Sequence, residues 1–209
     1  ITAGTGLGKT SVIKELVYHI FKSTESNIGM IMLEESPKIT ALDIMGTEAN
    51  LPLRRPDINL SDEDKTNYFN KTIGTGRFYF YNHFGSNSVD NIIARVRYMA
   101  KALDCKFIVL DHISMIVSSQ EIGDERKALD EIMTKLRTLV QETDVALIIV
   151  SHLKRPDGKG HEEGAVTSLA QLRGSGSIAQ LSDMVLGLER DSQSDDIATR
   201  NTTCLRVLK

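Results

Sequence analysis

Gly4-Thr5-Gly6-Leu7-Gly8-Lys9-Thr10 lies near the start of a 209-residue chain, and its reading decides the fold. Glycines let backbone amides turn toward an anion, and Lys9 adds a point charge suited to the β- and γ-phosphates of a nucleotide. Thr10 offers a hydroxyl for Mg²⁺, with a helix starting beneath the phosphates. The strict pattern has glycine five positions before Gly8. This chain has Ala3, which also fits a tight turn where φ is negative. The competing reading is an ordinary glycine-rich turn between a strand and a helix.

Working outward from this loop, residues 11–22 read as the helix behind it. Ile28 to Leu33 reads as a strand ending in Glu34-Glu35, with Pro37 helping to terminate it. Residues 38–46 suggest a short helix, 61–72 a weakly marked one, and Arg77 to Tyr81 a strand. Val89, Ile92, Ile93, Val96, Met99, Ala100 and Leu103 recur at helical spacing over 88–103. Phe107–Leu110 is an apolar strand ending at Asp111. A long helix over 124–142 carries Leu129, Ile132, Met133, Leu136, Leu139 and Val140 on one stripe. Val145–Val150 reads as another buried strand, and Met184–Leu188 and Leu205–Leu208 complete the series. Apolar strands separated by helices predict an α/β fold whose mainly parallel central sheet is covered on both faces. Its polar strand ends point to one rim, where such sheets place their ligands.

A 41% hydrophobic composition over this length supports one substantial core. The net charge of -3 carries no global nucleic-acid signature, although it leaves room for a local basic loop. Cys105 and Cys204 form no C-x-x-C pair, which argues against a thiolate zinc site or a disulfide scaffold. No apolar run reaches transmembrane length, no signal peptide leads the chain, and no membrane partner is expected. Only Ile1-Thr2-Ala3 precedes the loop, and Thr203–Lys209 alternates like a strand. The expectation is a single domain over residues 1–209, truncated at both ends.

Several polar residues fall on the predicted rim. Asp111, behind an apolar strand, is placed like the carboxylate that holds Mg²⁺ in nucleotide-hydrolysing proteins with such a loop; a solvated strand-end aspartate is the bland alternative. Glu34 is the preferred base for orienting and deprotonating an attacking water, although Glu35 is equally compatible with the spacing. His152 closes its strand where it would meet a γ-phosphate, or simply cap backbone groups. Pairing His152 with His161 around a metal is unattractive, because Lys154, Arg155 and Lys159 intervene. Those cations, in a polar glycine-rich segment, suit the phosphates of a single nucleic-acid strand, as would any solvated charged loop. Arg173-Gly-Ser-Gly176 suits phosphate contact or a conformational switch. Asp124-Glu-Arg-Lys127 opens the long helix, its acids matching the positive end of the dipole and its cations open to solvent or a neighbouring subunit.

Further motifs stand in a recognisable order: Met32-Leu-Glu-Glu-Ser36, Leu110-Asp-His-Ile-Ser114, Met133-Thr-Lys-Leu136, Ser151-His-Leu-Lys154, His161-Glu-Glu-Gly164, Leu172-Arg-Gly-Ser-Gly176, Gln180-Leu-Ser-Asp183 and Leu188-Glu-Arg190. The chain resembles, along essentially its whole length, the helicase domain of the primase-helicases of short-tailed bacteriophages, in the DnaB-like family of ring replicative helicases. The resemblance implies a RecA-like domain in a homo-hexamer around single-stranded DNA. It further implies ATP or dTTP hydrolysis with Mg²⁺, 5′ to 3′ translocation, primase and replication polymerase as partners, and the cytoplasm of a host cell. Carried over, Gly4, Gly6, Gly8, Lys9, Thr10 and Ser11 contact nucleotide, and Arg190 lies near its base. Thr10 and Asp111 hold Mg²⁺. Lys9, Glu34 and His152 form the catalytic set, with Glu34 as base and His152 as γ-phosphate sensor. Lys154, Arg155, Lys159 and Arg173 face DNA. The family's arginine finger, subunit linker, primase and zinc-binding regions are expected outside residues 1–209. Within P-loop proteins, the alternatives are a RecA-type recombinase or circadian-clock-like kinase ring, and a nonmotor assembly or loading ring.

Overall fold

A computed structural model describes residues 1–82, 88–117, 125–154, 158–172 and 176–209; of Val117 and Glu125 it describes the backbone only. In chain order the elements are β1 (Thr2–Ala3), α1 (Lys9–Ser23), β2 (Asn27–Met32), α2 (Pro37–Ala49), α3 (Asp62–Lys71), β3 (Phe78–Phe80), α4 (Val89–Lys101), β4 (Cys105–Asp111), α5 (Ser114–Val117), α6 (Glu125–Thr143), β5 (Ala146–Ile149), β6 (Ser151–His152), α7 (Gly176–Leu181), β7 (Leu186–Glu189), α8 (Ile197–Asn201) and β8 (Cys204–Val207).

Two four-stranded sheets, ordered β3-β2-β4-β5 and β6-β1-β7-β8, meet along the segment 146–152. Among the described strands, each ladder is parallel except β7 with β8. At the junction, Val150 N–H donates to Leu110 and Ser151 N–H to Ile1. The expected mainly parallel sheet is present.

The apolar strands serve two cores at once, by period-two alternation. Ile28, Met30 and Met32 of β2 and Val109 of β4 pack with Ile13, Val17 and Phe21 of α1 and Ile44 of α2. Ile31, Leu33, Ile108 and Leu110 pack instead with the helical stripes of α4 and α6. Those stripes match the predicted residues, with Leu103 and Val140 only partly buried at their edges. Gly29 faces α4 closely: a Cβ there would lie 2.8 Å from Met99 Sδ.

Helix starts follow local chemistry. Pro37, read as a strand terminator, also occupies the first turn of α2, and Ser36 caps it by accepting from Ile39 N–H. Ser61 caps α3, whose first turn holds Asp62, Glu63 and Asp64 and which buries no residue. Its weak periodicity therefore reflects a helix held mainly by its ends.

The expectation for Val145–Val150 needs correction. Val145 and Val150 are buried, but Leu147, Ile148 and Ile149 are only half-buried and Ala146 is exposed. Among the described residues β5 forms a ladder with β4 alone; on its other edge Ile149 O accepts from the Ile1 amino group at 2.7 Å, and β1 comes into register only at Ser151. The unpaired side lines an apolar groove of about 350 Å³ with Leu136, Val140, Met184 and Leu186.

At the far side, Arg206 of β8 donates Nε to Glu189 Oε1 at 2.6 Å and Nη2 to Oε2 at 3.0 Å. Thr167 adds its amide and hydroxyl at 2.6 and 2.8 Å. The Arg206 bonds, helped by Thr167 and opposed by burial, hold the Glu189 carboxyl at about 2 against an ordinary 4.5. A depressed folded-state pKa contributes stability above about pH 4.5 that is lost as pH falls toward 2. Glu189→Gln is expected to lower the urea midpoint at neutral pH and to flatten its decline across that acid window, measured by circular dichroism at a series of pH values.

Candidate active site

The glycine-rich loop leaves β1 at Gly4 and enters α1 through Gly8, whose φ of 85° and ψ of 23° are left-handed. Gly6 has φ 75°. A Cβ at either position would meet nothing within 4 Å, so backbone conformation rather than crowding calls for glycine. Gly4 is the reverse case: its Cβ would lie 2.5 Å from that of His161. Leu7 anchors the loop against Ala3 and Leu188. No side chain caps α1 and its first turn holds no acid, which leaves its leading amides for an external anion. Ser11 is exposed in that turn.

Lys9 is buried, and its Nζ donates to the carbonyls of Gly4 at 2.9 Å and Ala3 at 3.3 Å. Burial lowers its pKa, while Asp111 and Glu34 act in the opposite direction. A desolvated ammonium resting on two carbonyls stands to gain from an anion brought into the loop. Thr10 Oγ1 donates to Asp111 Oδ2 at 2.7 Å, joining the start of α1 to the end of β4. Burial raises the Asp111 pKa; Thr10 and His112 oppose this, and Glu34 and Glu35 reinforce it. A hydroxyl and a buried carboxylate among further carboxylates form a hard oxygen set that suits Mg²⁺, and a cation there would relieve their repulsion.

The two glutamates after β2 have different surroundings. Glu35 Oε1 lies 2.6 Å from Lys14 Nζ and accepts from Thr40 Oγ1 at 2.6 Å. Lys14, 4% exposed, also pairs with Asp43 at 2.5 Å, so this carboxylate is neutralised inside a network joining α1 to α2. Glu34 has a half-exposed side chain, and its Oε1 accepts from His112 Nε2 at 2.8 Å. Of the pair, Glu34 is the one open to a water.

His152, half-buried at the end of β6, meets the His112 ring edge-on with centroids 4.2 Å apart. Glu34, His112 and His152 offer polar atoms all within 4.8 Å of one another. His161 lies elsewhere: it is buried against Gly4, with Nε2 3.2 Å from the Lys154 carbonyl. Lys154 and Lys159 are exposed, the former with its amide donating to Gln171 O at 2.8 Å. Arg190 Nη2 reaches the Gly6 carbonyl at 3.3 Å. Asp124, Arg155 and Arg173 lie outside the described residues. The structure thus gathers Lys9, Thr10, Glu34, Asp111, His152 and Arg190 at the carboxyl ends of the strands. Neither His112 nor Lys14 was assigned a role from sequence, although His112 stands inside the quoted motif Leu110-Asp-His-Ile-Ser114.

A mainly parallel α/β sheet with this loop and this carboxyl rim defines a P-loop domain. The model of the DnaB-like helicase C terminal domain matches residues 1–209, and the chain belongs to that family. It is 38% identical to a DNA helicase/primase of Enterobacteria phage T3, over all of this chain and 37% of that protein. It is 23% identical to the replicative DNA helicase DnaC of Bacillus subtilis, over all of this chain and 46% of that protein. The chain thus spans less than half the length of either relative. Two solved structures show the same fold. One, an ATPase domain, has a TM-score of 0.75 at 19% identity, over all of this chain and 75% of that one. The other, a DnaB-like replicative helicase studied for its interactions with primase, has a TM-score of 0.78 at 18% identity, over all of this chain and 51% of that one. Among the described residues, no helix is long and apolar enough to cross a membrane.

Gly4→Ala is expected to push the loop off His161 and weaken nucleotide binding about tenfold, roughly 1.4 kcal/mol. Titration with a fluorescent nucleotide analogue measures it; unchanged affinity would show that the loop yields freely at this contact.

Proposed function

We propose that this chain is the motor core of an NTP-dependent replicative DNA helicase that couples ATP or dTTP hydrolysis to 5′ to 3′ translocation on single-stranded DNA. The observation that carries the reading is the meeting of Lys9, Thr10, Asp111 and the half-exposed Glu34 on one rim. A simple nucleotide binder needs the first three; only a hydrolase needs an accessible carboxylate beside them.

The glycine-loop amides and Lys9 hold the triphosphate, with the Lys9 ammonium turning from the Ala3 and Gly4 carbonyls to phosphate oxygens. Mg²⁺, when bound by Thr10 and Asp111, supplies positive charge to the β- and γ-phosphate oxygens. Glu34 orients the attacking water and takes its proton. His152, directly before Leu153-Lys154, senses the γ-phosphate and passes the state of the nucleotide to that segment. Lys154 and Lys159, with Arg155 and Arg173, hold the phosphates of a DNA strand without reading bases. Ser11 and Arg190 flank the nucleotide at the loop's mouth. The motor is read as a homo-hexamer whose neighbour completes each site, working beside primase and polymerase in the cytoplasm, of the host cell if phage-encoded.

Steady-state ATP and dTTP hydrolysis by the full gene product, with and without single-stranded DNA, tests this reading. Turnover should rise with DNA and vanish in Lys9→Ala. Tight nucleotide binding without DNA-stimulated turnover would instead identify a nonmotor ring. Glu34→Gln is expected to keep nucleotide affinity and lose about 10²–10⁴-fold of turnover. Lys154→Ala with Lys159→Ala should leave DNA-free turnover intact, remove most of the stimulation, and reduce the salt dependence of DNA binding by about two phosphate contacts.

A further inference from the structure

His112 is 6% exposed, yet it turns a polar nitrogen onto a half-exposed carboxylate. The carboxylate of Glu34 can only accept, so the imidazole Nε2–H donates, at 2.8 Å. The other ring nitrogen, Nδ1, is buried and has no hydrogen-bond partner among the described residues. The proton therefore belongs on Nε2, which fixes the ring as a directed donor toward Glu34.

The donor is rigid where the acceptor is not. Immediately after His112, Ile113 N–H donates to Val150 O and Met115 N–H to His112 O, both at 3.1 Å. Ile113 and Ile116 are buried to 1% exposure or less, and the edge-on contact with His152 packs a second ring against it. Glu34, by contrast, follows the last residues of β2 with half its side chain in solvent. A free glutamate side chain retains rotamer freedom worth up to about 2 kcal/mol. A base that wanders over that range meets its water in the right geometry only part of the time, and misplacement near 1 Å costs about 10²-fold in rate.

We propose that His112 is the positioning residue for the base: its Nε2–H holds one Glu34 oxygen so that the other faces the water beside the γ-phosphate. This rests on the reading of Glu34 as base. The competing account is that Glu34 merely satisfies a histidine buried for packing. That account predicts loss of stability on substitution and no selective loss of turnover.

Two substitutions in the full gene product separate the accounts. His112→Phe keeps a ring of similar outline against His152 and removes the donor. His112→Gln keeps an N–H within reach of Glu34. The expected result for His112→Phe is a kcat lower by about 10- to 100-fold with nucleotide Kd within about twofold, and for His112→Gln a kcat within about threefold of wild type. In a Glu34→Gln background, His112→Phe should cause no further loss, because the two act through one group. Wild-type kcat in His112→Phe would overturn the proposal, as would a Gln variant as slow as the Phe variant, or a Kd that weakens in step with kcat. If Glu34→Gln alone keeps full turnover, the base assignment itself fails. If Glu34→Gln is inactive while His112→Phe is not, only the positioning role falls. Thermal melting of each variant checks that the fold is retained.

Discussion

The candidate site depends on the lateral register between β2 and β4. Met32 lies beside Asp111, and one step further Leu33 N–H donates to the Asp111 carbonyl at 2.6 Å. This pairing puts Glu34 next to the Asp111-His112 pair although about eighty residues separate them in the chain. A slip of one residue would exchange the faces of β2, turning Ile28, Met30 and Met32 toward α4 and Ile31 and Leu33 toward α1. Two cores of different shape would then both be mispacked. The burial that stabilises the sheet is therefore also what fixes Glu34 relative to Asp111.

Charge at the rim is arranged in two layers. The deeper one is closed: Lys14 is held by Glu35 and Asp43, and Arg54 reaches Asp43 from outside at 3.2 Å. The outer one is left unfinished. Lys9 rests on carbonyls; burial, with the Glu34 and Glu35 carboxylates, disfavours the ionised form of Asp111, which the Thr10 hydroxyl favours. Opposite charges held apart near one loop match a ligand that is itself an anion carrying a cation, as a magnesium-bound triphosphate is. The closed layer keeps the Glu35 carboxylate engaged with Lys14 and Thr40.

Much of this could be read from residue order. Ile28–Leu33 and Phe107–Leu110 announce parallel strands because both faces meet helices, and the stripes of α4 and α6 carry the period of their own cores. Two of the loop glycines need no tertiary context, since Gly6 and Gly8 are demanded by backbone angle alone, whereas Gly4 is demanded by His161. What escaped was decided by distant neighbours. Val145–Val150 has the composition of a buried strand, but the exposure of Ala146–Ile149 depends on which strand pairs its second edge. Glu34 and Glu35 are chemically identical and adjacent; Lys14 and Thr40 distinguish them. A lone imidazole after a strand has no period or spacing that marks it, and His112 acquires a role only when β2 lies alongside β4.

The same logic reaches the basic segment through His161. Its ring Nε2 is 3.2 Å from the Lys154 carbonyl, and its Cβ occupies the space a side chain at Gly4 would need. One buried residue thus touches both the root of the lysine-bearing segment and the first glycine of the loop. Ser192 ties the neighbouring Glu162 carbonyl to the segment after Arg190 through its amide at 2.8 Å and its hydroxyl at 3.0 Å. Close-packed interiors transmit displacement because they hold few voids to absorb it. Lys154, Gly4 and the segment after Arg190 are thus joined by direct contacts around His161 and Glu162. Two histidines serve two parts of the rim: His112 hydrogen-bonds Glu34, and His161 packs against Gly4.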